Sequence, residues 1–280
     1  MMFYRVLDSG EFQKLEQIGE FKIVRPAASA IWKKSDPELW QNVDAEFLRS
    51  EKGQGKWRLL SQKKFTEIQV TCTGVQLFLR PTPFGHIGLF AEQIDYWQRI
   101  IQTLSPYSDE KIKVLNLFAY TGGSTLAAAK AGAEVTHVDA SKTSIEWAKQ
   151  NAELNGLQDA SIRWMVDDVM AFVKREIRRG NKYHAIILDP PSYGRGPKNQ
   201  LWKIEEDLPL LIESIKELLS ENFLFLHLSA HTPGVSALTL ENLLRTYFSD
   251  QQNFITEEMY INVESGPTLP SGTSCWMSRK

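Results

Sequence analysis

From residue 111 onward, short apolar runs alternate with stretches in which apolar residues recur every three or four positions. The runs are typical of buried strands, and the stretches between them are typical of helices that cover a sheet. This alternation favours a parallel sheet with helices on both faces, which is a doubly wound α/β fold. The predicted strands are residues 113–118, 134–139, 161–166, 183–189 and 222–229, and the predicted helices are residues 124–132, 141–157, 168–180 and 208–220.

The N-terminal part shows a different pattern, with short β-rich runs at residues 21–26 and 67–81. The second run contains Thr73-Gly74 between two alternating stretches, which predicts a hairpin. We therefore expect a small β-rich module over residues 1–85.

The segment between the two patterns has helical character. Its apolar residues Ile94, Trp97 and Ile101 lie at helical spacing. Residues 86–110 are therefore predicted to form a helical connector, and residues 111–280 are predicted to form the α/β domain.

Composition and charge exclude several classes of protein. The chain has 32 basic and 34 acidic side chains, so its net charge of −2 gives no reason to expect a nucleic-acid or membrane partner. Cys72 and Cys275 are too few for a disulfide framework or a four-cysteine zinc site, and sparse cysteine suits a reducing cytoplasm. The first residues show no signal-peptide pattern, and no apolar window approaches the ~18 residues of a membrane helix.

Residues that carry chemistry follow four consecutive predicted strands. In open parallel sheets, ligands bind beyond the carboxyl ends of the strands. A Thr-Gly-Gly turn at residues 121–123 follows the first strand, Asp139 ends the second, Asp168 follows the third, and Asp189 ends the fourth. Glycine lets a ligand approach the backbone closely, and an acid at a strand tip can bind the two hydroxyls of a ribose.

Each of these features also has a purely structural explanation. A Thr-Gly-Gly turn commonly connects a strand to a helix, and Asp139 or Asp168 can cap the helix that follows it. Pro190-Pro191 can form a rigid exit from a strand. Because all of them occur in order at the same edge, we interpret them together as a ligand-binding site.

Residues 113–230 resemble the class I S-adenosylmethionine-dependent methyltransferases. More narrowly, the segments NLFAYTGGST, HVDASKTSIEWAKQNAELNG and LDPPSYGRG are similar to the bacterial large-subunit ribosomal RNA methyltransferase family. GHIGLFAEQ, at residues 85–93, resembles a segment that this family carries before its catalytic domain. The resemblance covers residues 85–280. It implies a Rossmann-like methyltransferase domain over residues 111–280, S-adenosylmethionine as cofactor, and RNA, in particular ribosomal RNA, as substrate.

The resemblance also implies roles for individual residues. The loop after the first strand would face the methionine part of the cofactor, Asp139 would bind its ribose, and Asp168 would bind its adenine amine. The implied cofactor-binding residues are Phe118, Tyr120, Thr121, Gly122, Gly123, Asp139, Ala140, Ser141, Asp168 and Val169. The implied catalytic residues, at the meeting point of methyl group and acceptor, are Asp189, Pro190 and Tyr193. Arg195 and Lys198 lie beside this point in the sequence and are expected to bind a substrate phosphate.

The sequence departs from the family pattern in two places. Its first motif has Asn116 where an acid is usual, and only Gly122-Gly123 of a glycine triplet. Methylation of cytosine at carbon 5 needs a cysteine nucleophile, which in such relatives follows the fifth strand. Here that stretch, LHLSAHTPG, contains Ser229 and no cysteine. We therefore predict transfer to an amine or ring nitrogen of a nucleobase, and no formation of 5-methylcytosine.

Two local clusters of basic residues favour a nucleic-acid partner in spite of the net charge. Residues 49–64 hold six basic side chains against one acidic, and residues 174–182 hold five against one. Phosphate backbones commonly bind such clusters, and Trp32 and Trp57 could stack on exposed bases. The alternative is a solvated surface with buried tryptophans.

The histidines give little further guidance. His86 and His231 lie near the predicted edge, whereas His137 and His184 fall in strands and are expected to be hydrogen-bonded core residues. No spacing suggests a metal site, so we expect none.

Other functions remain open. A nicotinamide-dependent oxidoreductase would use Asp139 in the same way, but the chain has no G-x-G-x-x-G motif. A methyltransferase that acts on DNA, protein or a small molecule would have the same fold. An RNA-binding protein without catalysis would not need Asp139, Asp168 and Asp189. The sequence gives no indication of the oligomeric state.

Overall fold

A computed structural model of the chain describes residues 3–50, 55–251 and 253–279. Its contacts divide the chain into two units, Met1–Ile94 with Tyr260–Ser271, and Asp95–Met259 with Gly272–Lys280. These units divide the expected connector, residues 86–110, after Ile94, and they place residues 260–271 in the first unit rather than in the α/β domain. The three-part division expected from the sequence stays a prediction. No helix within the described part of the chain has the length and apolar character needed to cross a membrane.

The first unit contains a sheet and a separate hairpin. The strands of the sheet, numbered in chain order, are β1 (Tyr4–Gly10), β2 (Gln13–Ile18), β3 (Phe21–Pro26), β4 (Ala45–Arg49), β5 (Gly55–Leu59) and β16 (Val263–Ser265), in the spatial order β16-β1-β2-β3-β4-β5. The hairpin strands are β6 (Ile68–Cys72) and β7 (Val75–Leu79), and short 3₁₀ helices cover Pro37–Trp40 and Ala91–Gln93. The hairpin turns at Thr73 and Gly74, with φ angles of 45° and 80°, so the predicted hairpin is confirmed.

The sequence pattern did not predict β1 and β2, because these strands bury charged side chains. Asp8 and Glu16 are fully buried. Glu16 forms an ion pair with Arg25 at 2.5 Å and accepts a hydrogen bond from the Tyr4 hydroxyl at 2.5 Å. Burial alone would raise the pKa of the Glu16 carboxyl, but the positive charges of Arg25 and Lys14 bring it to about 2. Such strands lack the alternation of apolar and polar residues on which strand prediction depends.

The second unit is built on a seven-stranded sheet. The strands of this sheet are β8 (Lys113–Leu117), β9 (Glu134–Asp139), β10 (Ile162–Val166), β11 (Ala185–Leu188), β14 (Phe225–Ala230), β15 (Asn253–Ile261) and β17 (Leu269–Ser278). The last two residues of β15 and the first three of β17 belong to the first unit. The helices are α1 (Ile94–Leu104), α2 (Gly123–Lys130), α3 (Lys142–Leu154), α4 (Val169–Arg178), α5 (Ile204–Lys216) and α6 (Ala237–Tyr247), with a 3₁₀ turn at Ser105–Tyr107. The spatial order is β10-β9-β8-β11-β14-β17-β15, and β17 runs antiparallel to its neighbour β14.

Alternate residues of the strands face opposite sides of this sheet. Leu115, Leu117 and Leu188 belong to a buried cluster that also contains residues of α4, α5 and α6. Asn116 and His137 point to the other face, where they meet Thr125 of α2. The predicted doubly wound α/β fold is therefore confirmed, and it presents the ends of its central strands to a single edge.

Three parts of the second unit differ from the prediction. Helix α5 begins at Ile204 rather than at residue 208, and it includes Pro209. The Asp207 carboxylate accepts a hydrogen bond from Lys203 N at 2.7 Å, which secures the first turn without any of the usual residues at the cap position. Helix α6 and a small hairpin after β11 were not predicted.

Candidate functional site

Strands β8, β9, β10, β11 and β14 run parallel, so their carboxyl ends meet at one edge of the sheet. At this edge lie the loop 118–122 after β8, Asp139 at the end of β9, Asp168 after β10, Asp189 after β11, and His231 after β14. The structure therefore brings together the residues that the sequence placed after consecutive strands. The ligand-binding and catalytic roles given to them stay predictions.

The loop after β8 has an uncommon backbone conformation. Phe118 and Tyr120 have φ angles of 58° and 48°, in the left-handed region that residues with side chains rarely adopt, and Gly122 has a φ of 91°. At Gly123, where α2 begins, an added Cβ would lie 2.1 Å from the Trp97 ring, so only glycine fits. Backbone strain of this kind persists because the surrounding packing holds it, and it is common at ligand sites.

Asp139 is fixed by two backbone donors. Tyr120 N donates to Oδ2 and Ser141 N donates to Oδ1, each at 2.8 Å. Burial raises the pKa of the Asp139 carboxyl, and these two hydrogen bonds offset part of the rise. Asp139 does not cap α3, because the Ser141 hydroxyl does so by accepting from Ser144 N at 3.1 Å. Ala140 joins the two residues, and its side chain is half-buried.

A buried polar chain lies beneath the loop. Asn116 Nδ2 donates to Thr125 Oγ1 at 2.9 Å, and the same Oγ1 lies 2.9 Å from His137 Nδ1. Burial lowers the pKa of His137 to about 3, so its ring is neutral at pH 7. Asn116 stands where the family usually has an acid. Its neutral amide joins β8 to α2 without burying a charge, which gives this difference a structural use. His137 is a core residue as expected, but its Nε2 atom has no partner within the described residues.

Asp168 is the cap of α4, the structural role that the sequence left open. Its Oδ1 accepts from Ala171 N at 2.9 Å, and Val169 next to it is buried. The Oδ2 atom would lie 3.0 Å from a Cβ added at Gly196, so a second segment approaches the same carboxylate. The second carboxylate oxygen of a cap residue can still bind a ligand. The adenine-binding role of Asp168 stays a prediction.

Asp189 is held by two residues from the neighbouring strand β14 and the segment after it. The Ser229 hydroxyl donates to Oδ1 at 2.7 Å, and His231 Nε2 lies 3.3 Å from the same oxygen. Burial would raise the pKa of the Asp189 carboxyl, but the charge and hydrogen bond of His231, together with Ser229, bring it below its ordinary value. The sequence had placed His231 near the edge without giving it a role. Pro190, next in the chain, is buried.

The hairpin after Pro191 consists of β12 (Tyr193–Arg195) and β13 (Leu201–Lys203). Trp202 on its inner face donates from Nε1 to the Pro191 carbonyl at 2.8 Å. The Trp202 ring packs against Phe118, with 4.8 Å between ring centroids. The hairpin is therefore fastened to the loop after β8, and it covers the edge where Asp168 also lies.

The outer side of this hairpin carries the residues predicted to meet the substrate. The side chain of Tyr193 is 56% exposed, and its hydroxyl lies 3.4 Å from Arg195 Nη2. Arg195 Nη1 also donates to Asn199 Oδ1 at 2.8 Å, which directs the guanidinium along the hairpin. Lys198 is exposed at the tip. Tyr193 thus lies on the surface beside Asp189 in sequence, and its place in a catalytic pocket stays a prediction.

Several cations of the two basic clusters contact other groups of the protein itself. In the first cluster, Arg58 pairs with Glu46, and Lys63 lies 3.4 Å from Asp44. Glu51 and Lys52 fall outside the described residues.

The tryptophans of the first unit and the cations of the second cluster also have partners within the protein. Trp57 Nε1 donates to the Thr82 carbonyl at 2.9 Å, and Trp32 Nε1 donates to the Ser9 carbonyl at 2.8 Å. In the second cluster, Arg175 pairs with Asp167, Arg179 pairs with Glu176, and Lys182 donates to the Glu217 carbonyl. These contacts favour the structural explanation for the cations and tryptophans named here. Across residues 3–50, 55–251 and 253–279, no group of three or more histidine, cysteine or acidic side chains is placed to hold a metal ion.

The chain resembles a family of known proteins over most of the residues that form this site. Residues 60–230 match the model of a protein family described as S-adenosylmethionine-dependent methyltransferase. The chain is 31% identical over 174 residues to ribosomal RNA large subunit methyltransferase K/L of Shewanella frigidimarina, covering 61% of this chain and 23% of that protein. It is 40% identical over 111 residues to ribosomal RNA large subunit methyltransferase I of Aeromonas salmonicida, covering 39% of this chain and 27% of that protein. The matches thus span about a quarter of the length of these curated relatives.

A solved structure resembles nearly the whole chain. The S-adenosylmethionine-dependent methyltransferase from Agrobacterium tumefaciens superimposes with a TM-score of 0.94 at 38% sequence identity. The superposition covers 99% of this chain and 90% of that protein, so it includes both units.

Proposed function

Since this chain belongs to the S-adenosylmethionine-dependent methyltransferase family, we propose that it transfers a methyl group to a nucleobase nitrogen of RNA, ribosomal RNA in particular, and does not form 5-methylcytosine. One observation carries this proposal. The fixed carboxylates of Asp139 and Asp189 lie at the ends of strands on either side of β8, at the same edge of the sheet. One can hold the cofactor while the other holds the acceptor.

The residues at the edge fit the cofactor. Each oxygen of Asp139 accepts one backbone hydrogen bond, and each has a second acceptor site for a ribose hydroxyl. The left-handed backbone of Phe118, Tyr120 and Gly122 lets the methionine part approach the main chain closely. We assign the remaining contacts to Thr121 and Gly123 in the loop, to Ala140 and Ser141 beside the ribose, and to Asp168 and Val169 beside the adenine. S-adenosylmethionine, when bound, supplies an activated methyl group on a positively charged sulfur.

The acceptor would be held by Asp189 and Pro190. An ionised carboxylate only accepts hydrogen bonds, and so does a proline carbonyl, so both suit a nitrogen that carries a proton. Orientation of that nitrogen toward the methyl group supplies much of the catalysis in a displacement of this kind. Asp189 suits this task because Ser229 and His231 hold its Oδ1 in place. Tyr193 would stack on the base.

The two cysteines support a nitrogen acceptor. Addition to carbon 5 of cytosine needs a thiolate close to the base. Cys275 is buried in β17 and Cys72 is buried in the first unit, and burial raises the pKa of each thiol to about 11. Ser229, in the stretch where such relatives carry the cysteine, is engaged with Asp189.

RNA is favoured by the hairpin and by the relatives. The curated relatives are named as methyltransferases of ribosomal RNA. On this chain, Arg195 and Lys198 present positive charge on an exposed hairpin next to Tyr193. Cations beside an aromatic ring suit a phosphate and the base attached to it.

Transfer of labelled methyl groups tests the proposed function. The purified enzyme is given RNA, DNA and protein fractions from cells that lack it, with labelled S-adenosylmethionine. We expect label in RNA, its absence with Asp189→Ala, and a methylated nitrogen when the modified nucleoside is identified. Label confined to DNA or protein would contradict the assignment of RNA as the substrate. Formation of 5-methylcytosine would contradict the assignment of a nitrogen as the methylated atom.

Replacement of Arg195 tests the role of the hairpin. Arg195→Ala is expected to weaken RNA binding and to reduce the slope of log affinity against log salt by about 1, because one phosphate contact is lost. Cofactor affinity should not change. Arg245→Ala, which removes one charge from α6, is the matched control. Equal RNA binding by Arg195→Ala and the parent would contradict the assignment.

A further inference from the structure

We propose that His231 is a positioning residue, which keeps the Asp189 carboxylate ionised and oriented toward the acceptor nitrogen. This inference rests on the proposed function, because there Asp189 holds the acceptor. His231 lies 3.3 Å from Asp189 Oδ1, on a segment that the sequence left without a role.

The position of His231 follows from the sheet. Strands β11 and β14 are hydrogen-bonded neighbours that place Leu188 beside Leu228, so Asp189 reaches the level of Ser229. His231 lies two residues further on and shares the face of Ser229, because alternate residues of an extended chain point the same way. On its other side the His231 ring meets β17, where a Cβ added at Gly272 would lie 2.7 Å from Nδ1. Gly272 therefore leaves the ring room to lie against Asp189.

The charges around Asp189 give His231 its effect. Burial would raise the pKa of the Asp189 carboxyl, and the charge of His231 is the largest influence in the opposite direction. His227 also acts on Asp189, but burial lowers the pKa of His227 to about 3, with Arg99 of α1 adding to the decrease. His227 is thus neutral at pH 7. Ser229 contributes a hydrogen bond but no charge.

The protonation state of Asp189 decides what it can hold. An ionised carboxylate accepts hydrogen bonds from a nitrogen that carries a proton, whereas a protonated one presents a donor in place of one acceptor. Without His231, burial would raise the pKa of Asp189, so the active ionised form would be lost at a higher pH. Removal of His231 should therefore move the acidic limb of the pH–rate profile upward, which loss of packing alone would not do.

The test compares His231→Ala and His231→Gln with the parent enzyme, all as the full chain. His184→Gln is the matched control, because His184 precedes the same strand β11 at its opposite end, where Nδ1 accepts from Lys113 N at 3.0 Å. The first measurement is the pH dependence of kcat for methyl transfer to RNA. The second, made without cofactor, is titration of the Asp189 carboxyl by ¹³C NMR, with Asp189→Asn identifying the signal.

We expect His231→Ala to raise the pH at which Asp189 titrates and to move the acidic limb of kcat by the same amount. If the pKa of Asp189 rises by about 1, the rate at the acidic end should fall about tenfold, and it should approach the parent rate at alkaline pH. His231→Gln should have a smaller effect on both measurements, since glutamine can donate a hydrogen bond without a charge. His184→Gln should leave both measurements unchanged.

Two results would overturn the inference while the proposed function stands. One is an Asp189 signal that titrates at the same pH in His231→Ala as in the parent. The other is an equal loss of rate at every pH. Absence of methyl transfer by the parent enzyme would instead overturn the proposed function, and with it the orienting role of His231, whatever the titration shows.

Discussion

Ser141 and Asp168 each cap a helix at the edge where the cofactor is proposed to bind. The Ser141 hydroxyl caps α3 and the Asp168 carboxylate caps α4. Loss of a cap costs about 1 kcal/mol of stability, so a substitution at either residue alters folding and binding together. Asp139 accepts backbone hydrogen bonds from Tyr120 N and Ser141 N without capping a helix, so a substitution there leaves both caps in place.

Asp139→Ala is expected to weaken binding of S-adenosylmethionine at least tenfold. Each hydrogen bond to a charged group contributes roughly 1.5–3 kcal/mol, and the substitution removes both bonds to the ribose. Isothermal titration calorimetry measures the change. Asp159→Asn, at an exposed acid beyond α3, is the control. Unchanged affinity in Asp139→Ala would rule out the ribose-binding role.

Glu16 gives the first unit a pH-dependent stability. Removal of one partner from a buried ion pair costs roughly 3–5 kcal/mol, so Glu16→Gln should lower the free energy of unfolding by about this amount at pH 7. In the folded protein the pKa of Glu16 is about 2, below its ordinary 4.5. The stabilisation is therefore fully present above pH 4.5 and is lost as the pH falls toward 2.

Urea unfolding at pH 7 and at pH 3 measures this dependence. The difference between Glu16→Gln and the parent should be smaller at pH 3. Glu146→Gln, at a surface ion pair of α3, serves as the control. A difference of the same size at both pH values would show that the charge of Glu16 is not responsible.

At the scale of elements, the strands of the second unit were the most predictable. Strand β9 has the predicted bounds 134–139, and β11 (Ala185–Leu188) is apolar throughout, as buried parallel strands commonly are. The hairpin of β12 and β13 was missed, since strands of three residues are too short for a periodic pattern. Asp139 and Asp189 could be found from their positions after strands. The contact of Asp189 with Ser229 and His231 could not, because it depends on which strands are neighbours in the sheet.

Trp202 is expected to fasten the hairpin to the loop after β8. Trp202→Ala should speed amide hydrogen exchange across β12 and β13, because it removes both the ring contact with Phe118 and the hydrogen bond to Pro191. Trp202→Phe keeps a ring and loses the hydrogen bond, at a cost of about 1 kcal/mol or roughly fivefold faster exchange. Leu201→Ala, at an exposed neighbour on the same strand, should change nothing. Equal rates of amide hydrogen exchange in all three variants would show that Trp202 does not fasten the hairpin.

At the scale of the whole molecule, the first unit is discontinuous in sequence. It consists of residues up to Ile94 and of Tyr260–Ser271, which supply the edge strand β16 beside β1. Ile261 and Leu269 from this later segment are buried with Val6 and Ala30. Sequence patterns describe neighbouring residues along the chain, so they gave no sign that a C-terminal segment completes an N-terminal sheet.

Leu269→Ala should therefore destabilise the first unit. A buried leucine replaced by alanine costs roughly 2–5 kcal/mol, and Leu269 is 2% exposed. Limited proteolysis with mass spectrometry should show faster cleavage within residues 3–94 than in the parent. Leu238→Ala, at an exposed leucine of α6, should not have this effect. Faster cleavage confined to the second unit would contradict the assignment of Leu269 to the core of the first unit.

The discontinuity has a consequence for the order of events on the ribosome. When residues 1–94 have emerged, β1 still has an unpaired edge, because its partner Val263–Ser265 is translated about 170 residues later. Strand β17, which pairs with β14, is made later still. Both sheets are therefore completed by the same stretch, residues 263–278, of the nascent chain. An open sheet edge invites pairing with other chains, so the nascent chain is most exposed to such pairing in the interval before that stretch emerges.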